Sequence, residues 1–115
     1  MTNSKTHSKN FTLEIKSNTY KSIGIDLEFN KKRNPKLKEF IYNKKDKINS
    51  ELSIIDMWTI KEATFKAISN LGINIVLLNE VEVDYIESKF YFKDIEGFFK
   101  LNSDKVSSIT IAYIS

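Results

Sequence analysis

Hydrophobic and polar positions alternate along this chain with a period that changes twice. Phe11, Leu13 and Ile15 are separated by polar residues, the period of two that marks a half-buried strand. Ser17 to Thr19 reads as a turn. Ser22 to Glu28 resumes the alternation, with Ile23, Ile25 and Leu27 on one side and Gly24, Asp26 and Glu28 on the other. These two strands are expected to form a hairpin. Phe29 to Arg33 reads as a basic loop, and Pro35 suits the first turn of a helix running through Phe40 and Ile41 toward Lys47.

From about Ser50 to Asn70 the period becomes helical, with Gly72 just beyond it as a stop. Wound at ~100° per residue, Ile54, Met57, Trp58, Ile60, Phe65, Ala67, Ile68 and Leu71 fall on one broad apolar arc. Thr59, Glu62, Lys66 and Ser69 share the opposite side. After Gly72 the period returns to two: 73–77, 81–85, 89–92, 98–101 and 108–114 read as strands, with a turn at 94–97. The expected fold class is α+β, two helices packed on a largely antiparallel sheet. Residues 1–10 are polar throughout and read as a flexible N-terminal arm, leaving 11–115 as a single domain.

Composition narrows the chemistry. A chain of 115 residues with 41% hydrophobic content is enough for one buried core. No apolar run approaches the ~20 residues that cross a bilayer, and the first ten residues hold no apolar segment of a secretory signal. The cytoplasm is the expected location. With no cysteine and one histidine, thiolate and multi-histidine sites are excluded, so any metal must be held mainly by oxygen, which favours Mg²⁺, Mn²⁺ or Ca²⁺. The charge of +3 comes from 17 lysines and one arginine and suits either solubility or an acidic partner.

Asp26 and Glu28 stand two apart on one side of a strand, where adjacent carboxylates are tolerated if solvated, paired with lysine or bridged by a cation. On the helix, Glu62 and Lys66 have the four-residue spacing of a surface ion pair. Lys61 falls inside the apolar arc, between Phe65 and Ile68. It either snorkels to the helix edge or is aimed at an anion.

Two of these segments form a pair. Ser22-Ile23-Gly24-Ile25-Asp26-Leu27-Glu28 precedes Trp58-Thr59-Ile60-Lys61-Glu62-Ala63-Thr64-Phe65-Lys66-Ala67 by about 30 residues. The pair resembles the signature of the 4′-phosphopantetheinyl transferase superfamily, a strand ending in G-I/V-D-x-E and a helix carrying W-x-x-K-E-A/S-x-x-K. Thr6-His7-Ser8 is similar to the Ser-His-Ser motif of the surfactin-synthetase-type branch, as is the two-residue spacing of the acids. The length is instead close to that of the short holo-acyl-carrier-protein synthases and about half that of the surfactin-synthetase type. Phe40 to Lys47 is similar to an F-x-x-x-x-E segment but carries Lys45 and Asp46 where an acid is usual.

The resemblance implies a phosphopantetheinyl transferase-like fold and Mg²⁺-dependent transfer of 4′-phosphopantetheine from coenzyme A to a serine of an apo acyl or peptidyl carrier protein, releasing 3′,5′-ADP. It implies Asp26, Glu28 and Glu62 as metal ligands, Glu62 also as general base, and Lys66 as a contact to the pyrophosphate. Lys61 is a further candidate for that contact, and His7 for a coenzyme A phosphate, unless His7 is simply solvated. A homodimer or homotrimer is expected, with the cleft shared between subunits. Lys31, Lys32 and Arg33 would attract an acidic carrier. The alternatives are a non-catalytic or subunit-dependent transferase-like domain, and a small basic nucleic-acid-binding domain. The latter has little support, since arginine is nearly absent and no aromatic-basic recognition motif occurs.

Overall fold

The long helical period and the late period-two segments build the two layers of the domain in a computed structural model that describes residues 1–8, 10–29 and 35–115. The expected contacts of Lys31, Lys32 and Arg33 lie outside the described residues. In chain order the elements are β1 (Thr2–Ser8), β2 (Phe11–Ser17), β3 (Ser22–Glu28), a 3₁₀ turn (Pro35–Leu37) leading into α1 (Lys38–Ile41), and α2 (Ile54–Ser69). A second 3₁₀ turn (Leu78–Glu80) is followed by β4 (Glu82–Asp84), β5 (Lys89–Phe92), β6 (Ile95–Ser103) and β7 (Ser108–Ile114). Strands β3-β7-β6-β5-β4 form one sheet in that order, each neighbouring pair antiparallel. The α+β expectation of two helices with a mostly antiparallel sheet holds. Among the described residues, no helix is long and apolar enough to cross a membrane.

α2 begins where Ser53 can cap it. Its Oγ accepts the Asp56 N–H at 3.1 Å and the Asp56 carboxylate accepts the Ser53 N–H at 3.3 Å. It ends before Gly72, whose φ of 81° few other residues adopt. The helix lies across one face of the sheet, setting Met57, Ile60, Ala63, Ala67 and Ile68 against Phe90, Phe92, Phe99, Ala112 and Ile114. Gly24 lets β3 approach closely, because a Cβ there would press on the Ala63 carbonyl and come within 2.6 Å of the Ala67 nitrogen. On the opposite face, Tyr113 stacks on Phe98 with ring centroids 4.9 Å apart, and Tyr20 packs on Tyr113 at 4.7 Å.

Four expectations are corrected. The polar N-terminal segment is strand β1, not an arm, paired with β2 along its whole length from Thr2↔Ser17 to Ser8↔Phe11. Its inward residues are Ser4 and Thr6, which are buried through hydroxyl hydrogen bonds and leave no hydrophobic signal. β2 and β3 therefore form no hairpin. β3 pairs instead with β7, whose alternation matches it in register, Ile25 opposite Ile111 and Leu27 opposite Ile109.

The helix expected to run to Lys47 stops at Ile41. Asn43 and Asp46 capture local backbone there, Asp46 accepting the Asn43 N–H at 3.0 Å and Asn43 accepting the Lys45 N–H at 2.9 Å. Finally, 73–77 is not a strand. The Glu80 carboxylate takes the N–H groups of Val76 and Leu77 at 2.8 and 2.7 Å, bending that segment into the second 3₁₀ turn.

Candidate functional site

The close contact at Gly24 brings the two resembling segments together. Its neighbours on the same side of β3 face α2: the Ser22 hydroxyl donates to the Ala67 carbonyl at 2.6 Å, and Asp26 meets Lys66. Asp26 is therefore not on a solvated strand face. It is 5% exposed, and its Oδ1 accepts from Lys66 Nζ at 3.2 Å and from Thr6 Oγ1 at 3.3 Å. Oδ2 is buried with no hydrogen-bond partner among the described residues. Burial, opposed by the Lys66 ammonium and reinforced by the charges of Glu28 and Glu62, pushes the Asp26 carboxyl up to about 7.

Glu62 belongs to the same electrostatic neighbourhood. Burial raises its carboxyl above the ordinary range, against the pull of Lys66 and with the push of Glu28. Asp26, Glu28 and Glu62 thus feel one another's charge. They are not gathered into a coordination shell: among the described residues, no three His, Cys, Asp or Glu side chains are placed to hold an ion as they stand. The donor set still suits a hard cation, since all its atoms are carboxylate oxygens and the buried Asp26 Oδ2 has an open lone-pair direction.

Lys66 does not make the surface pair with Glu62 that its spacing suggests. Its ammonium donates to the Ile25 carbonyl at 2.8 Å, the Lys5 carbonyl at 3.2 Å and Asp26 at 3.2 Å, one acceptor for each of its protons. One turn further on, Asn70 Nδ2 donates to both the Ile23 and Asn3 carbonyls at 2.9 Å. On the other side of this seam, Ser4 Oγ accepts the Ile25 N–H at 3.0 Å and Thr6 Oγ1 accepts the Leu27 N–H at 3.1 Å. β1 thus lies alongside β3 with side chains of α2 and β1 taking the place of a backbone ladder. A cleft of about 460 Å³ opens beside it, bounded by Asn3, Lys5, Phe65, Lys66 and Asn70.

Lys61 does not snorkel; it is aimed at an anion, but that anion is Asp46 and not the Asp26, Glu28 and Glu62 group. It is 0% exposed, its ammonium bonded to both oxygens of Asp46 at 3.1 and 3.0 Å and to the Val81 carbonyl. Burial pulls its pKa below the usual lysine range and Asp46 opposes that pull. This placement stands against the expected contact between Lys61 and coenzyme A, because the ammonium would have to abandon a buried carboxylate. His7 is exposed on β1, its Nδ1 2.9 Å from Thr12 Oγ1 across the strand pair. Since Thr6 points inward to Asp26, His7, its neighbour, points the other way.

Four residues at these sites carry no role in the sequence reading: Ser4, Thr6, Asn70 and Asp46. A signal existed for two of them. Asn70 follows Lys66 by four residues on the same helical side, and Asp46 stands beside the position where the resembling segment carries an acid. Compared with models of known protein families the chain matches none, and compared with curated proteins it matches none.

Proposed function

We propose that this chain has a 4′-phosphopantetheinyl transferase-like fold and moves the 4′-phosphopantetheine group of coenzyme A to a serine of an apo acyl or peptidyl carrier protein, releasing 3′,5′-ADP. The observation that carries this reading is the meeting of the two motif segments at Gly24 and Ala63, with Lys66 on one oxygen of Asp26 and the other oxygen buried and open. Asp26, Glu28 and Glu62 would hold Mg²⁺. The bound ion supplies charge neutralisation at the pyrophosphate.

Glu62, whose carboxyl burial raises above the ordinary carboxylate range, is suited to take the proton of the attacking serine hydroxyl. Lys66, which donates to Asp26, is the residue that would face a phosphate if that carboxylate were engaged by the ion. A homodimer or homotrimer with a shared cleft completes the proposal.

Incubating the full chain with Mg²⁺, coenzyme A and an apo carrier protein is expected to raise the carrier's mass by one phosphopantetheine. Glu62→Gln is expected to slow the step roughly 10²- to 10⁴-fold. Chelation should stop it. No mass gain on any of several acyl and peptidyl carriers would sink this reading. That result would favour a non-catalytic or subunit-dependent domain, which the ungathered carboxylates and the fully engaged Lys66 ammonium also support.

A further inference from the structure

A second surface surrounds the short helix α1 and takes no part in the proposed transfer chemistry. Ile41, Met57 and Tyr85 floor an apolar cavity of about 160 Å³, and Lys38, Tyr42 and Ile48 rim it. The rim is open to water although it is largely apolar: Tyr42 is 53% and Ile48 47% exposed, and Phe40 on α1 is 64% exposed. Exposed aromatic and aliphatic side chains clustered around a hollow mark an interaction site more often than chance surface.

The charge around the cavity is predominantly positive, although Asp46 is part of its lining. Residues 36–48 carry five lysines against Glu39 and Asp46, and the Asp46 charge is spent on Lys61. Lys45 and Lys47 are themselves exposed, and they meet the half-buried Glu82 and the buried Asp84 at 3.5 and 3.7 Å. The rim is also held in place, because Asp46 accepts the N–H of Asn43 at 3.0 Å and of Val83 at 2.8 Å, pinning the segment that carries Tyr42 to β4. A surface fixed before binding loses less freedom on association.

We infer that this surface docks an acidic protein partner, one exposed aliphatic side chain of which fills the cavity while its carboxylates meet the surrounding lysines. Resting on the transferase reading, that partner is the apo carrier protein. An apolar centre with charged side chains lying outside it is the anatomy of a protein interface. A second copy of the same face would bring lysines against lysines, and a small apolar ligand would leave Phe40 and the surrounding lysines unused.

The test is an amide NMR titration of the full chain with an apo acyl carrier protein at low and at high salt. Shifts at Phe40, Tyr42, Ile48 and Tyr85 are expected, with binding weakened roughly tenfold by salt. Tyr42→Ala and the double variant Lys38→Glu, Lys44→Glu are each expected to weaken it about tenfold with an otherwise unchanged spectrum. Shifts confined to other surfaces, no binding, or the same shifts produced by concentrating the free chain alone would overturn the assignment. Mass gain on a carrier without shifts at this surface would sink the docking and leave the transfer chemistry standing. Shifts here without mass gain would do the reverse.

Discussion

Asp26→Asn is expected to stabilise the fold above neutral pH while abolishing transfer. The Asp26 carboxyl is raised from 3.8 to about 7 in the folded chain, so between those values the native state holds a proton that the unfolded chain has released. Stability is therefore fully present below about pH 4, falls as pH rises through about 7, and stays low beyond it. A carboxyl moved that far carries a cost on the order of 4 kcal/mol at alkaline pH. Asparagine escapes it but loses part of the Lys66 contact, leaving an expected gain of roughly 1 to 3 kcal/mol.

Urea melts should show the variant ahead of the wild type above pH 7, with the two curves converging toward pH 4. Parallel curves at every pH would contradict the origin assigned to the cost. Mg²⁺ should raise the wild-type midpoint at alkaline pH and raise that of the variant less, because the variant keeps only Glu28 and Glu62 of the three carboxylates. An ionisable group kept at the expense of stability is the usual mark of a functional site.

Lys61→Met is expected to destabilise the fold by roughly 3 to 5 kcal/mol. The pair it breaks is sealed, with side chains 0% and 1% exposed, and removing the ammonium leaves the Asp46 carboxylate buried and uncompensated. Combining it with Asp46→Asn should restore half or more of the loss, since a carboxamide keeps an acceptor for the Val83 N–H and carries no charge. Equilibrium unfolding of the single and double variants checks this. A double variant no better than Lys61→Met would show that methionine fits the space badly and that charge is secondary.

The parts of the fold visible in the sequence are those whose burial is hydrophobic. α2, β5, β6 and β7 follow from the spacing of Ile60, Ile68, Phe90, Phe92, Phe99 and Ile114, because period and burial coincide there. β1 is hidden because its inward side chains are Ser4 and Thr6, and a strand seated by hydroxyl hydrogen bonds has no hydropathy period. The 73–77 segment misleads for the opposite reason. Its alternation is real, yet Glu80 binds its backbone locally and no strand pairs with it among the described residues.

At the candidate site, spacing places Asp26 and Glu28 on one side of β3, and the helical winding places Glu62 with Lys66. That the two sides face each other depends on the absence of a Cβ at Gly24, a tertiary contact that no local pattern carries. Lys61 illustrates the limit most clearly. Its position in the apolar arc is readable, but its partner lies fifteen residues away in a loop where side-chain hydrogen bonds override helix propensity.

The side-chain seam along β3 divides that strand between two cooperative units. The groups directed at β7 share in the ladder of the five-stranded sheet and open only when the core does. The amides of Ile25 and Leu27 depend on the hydroxyls of Ser4 and Thr6, and the carbonyls of Ile23 and Ile25 on Asn70 and Lys66. Among the described residues, five side-chain hydrogen bonds tie β1 to β3 and to the α2 side, two at Thr6 and one each at Ser4, Lys66 and Asn70. Their loss can release the β1–β2 pair as a unit without breaking one backbone rung of the main sheet. Such an opening would lay bare the edge of β3 and remove Thr6 from Asp26 in a single event, coupling access to the carboxylate with the local melting of the strand pair.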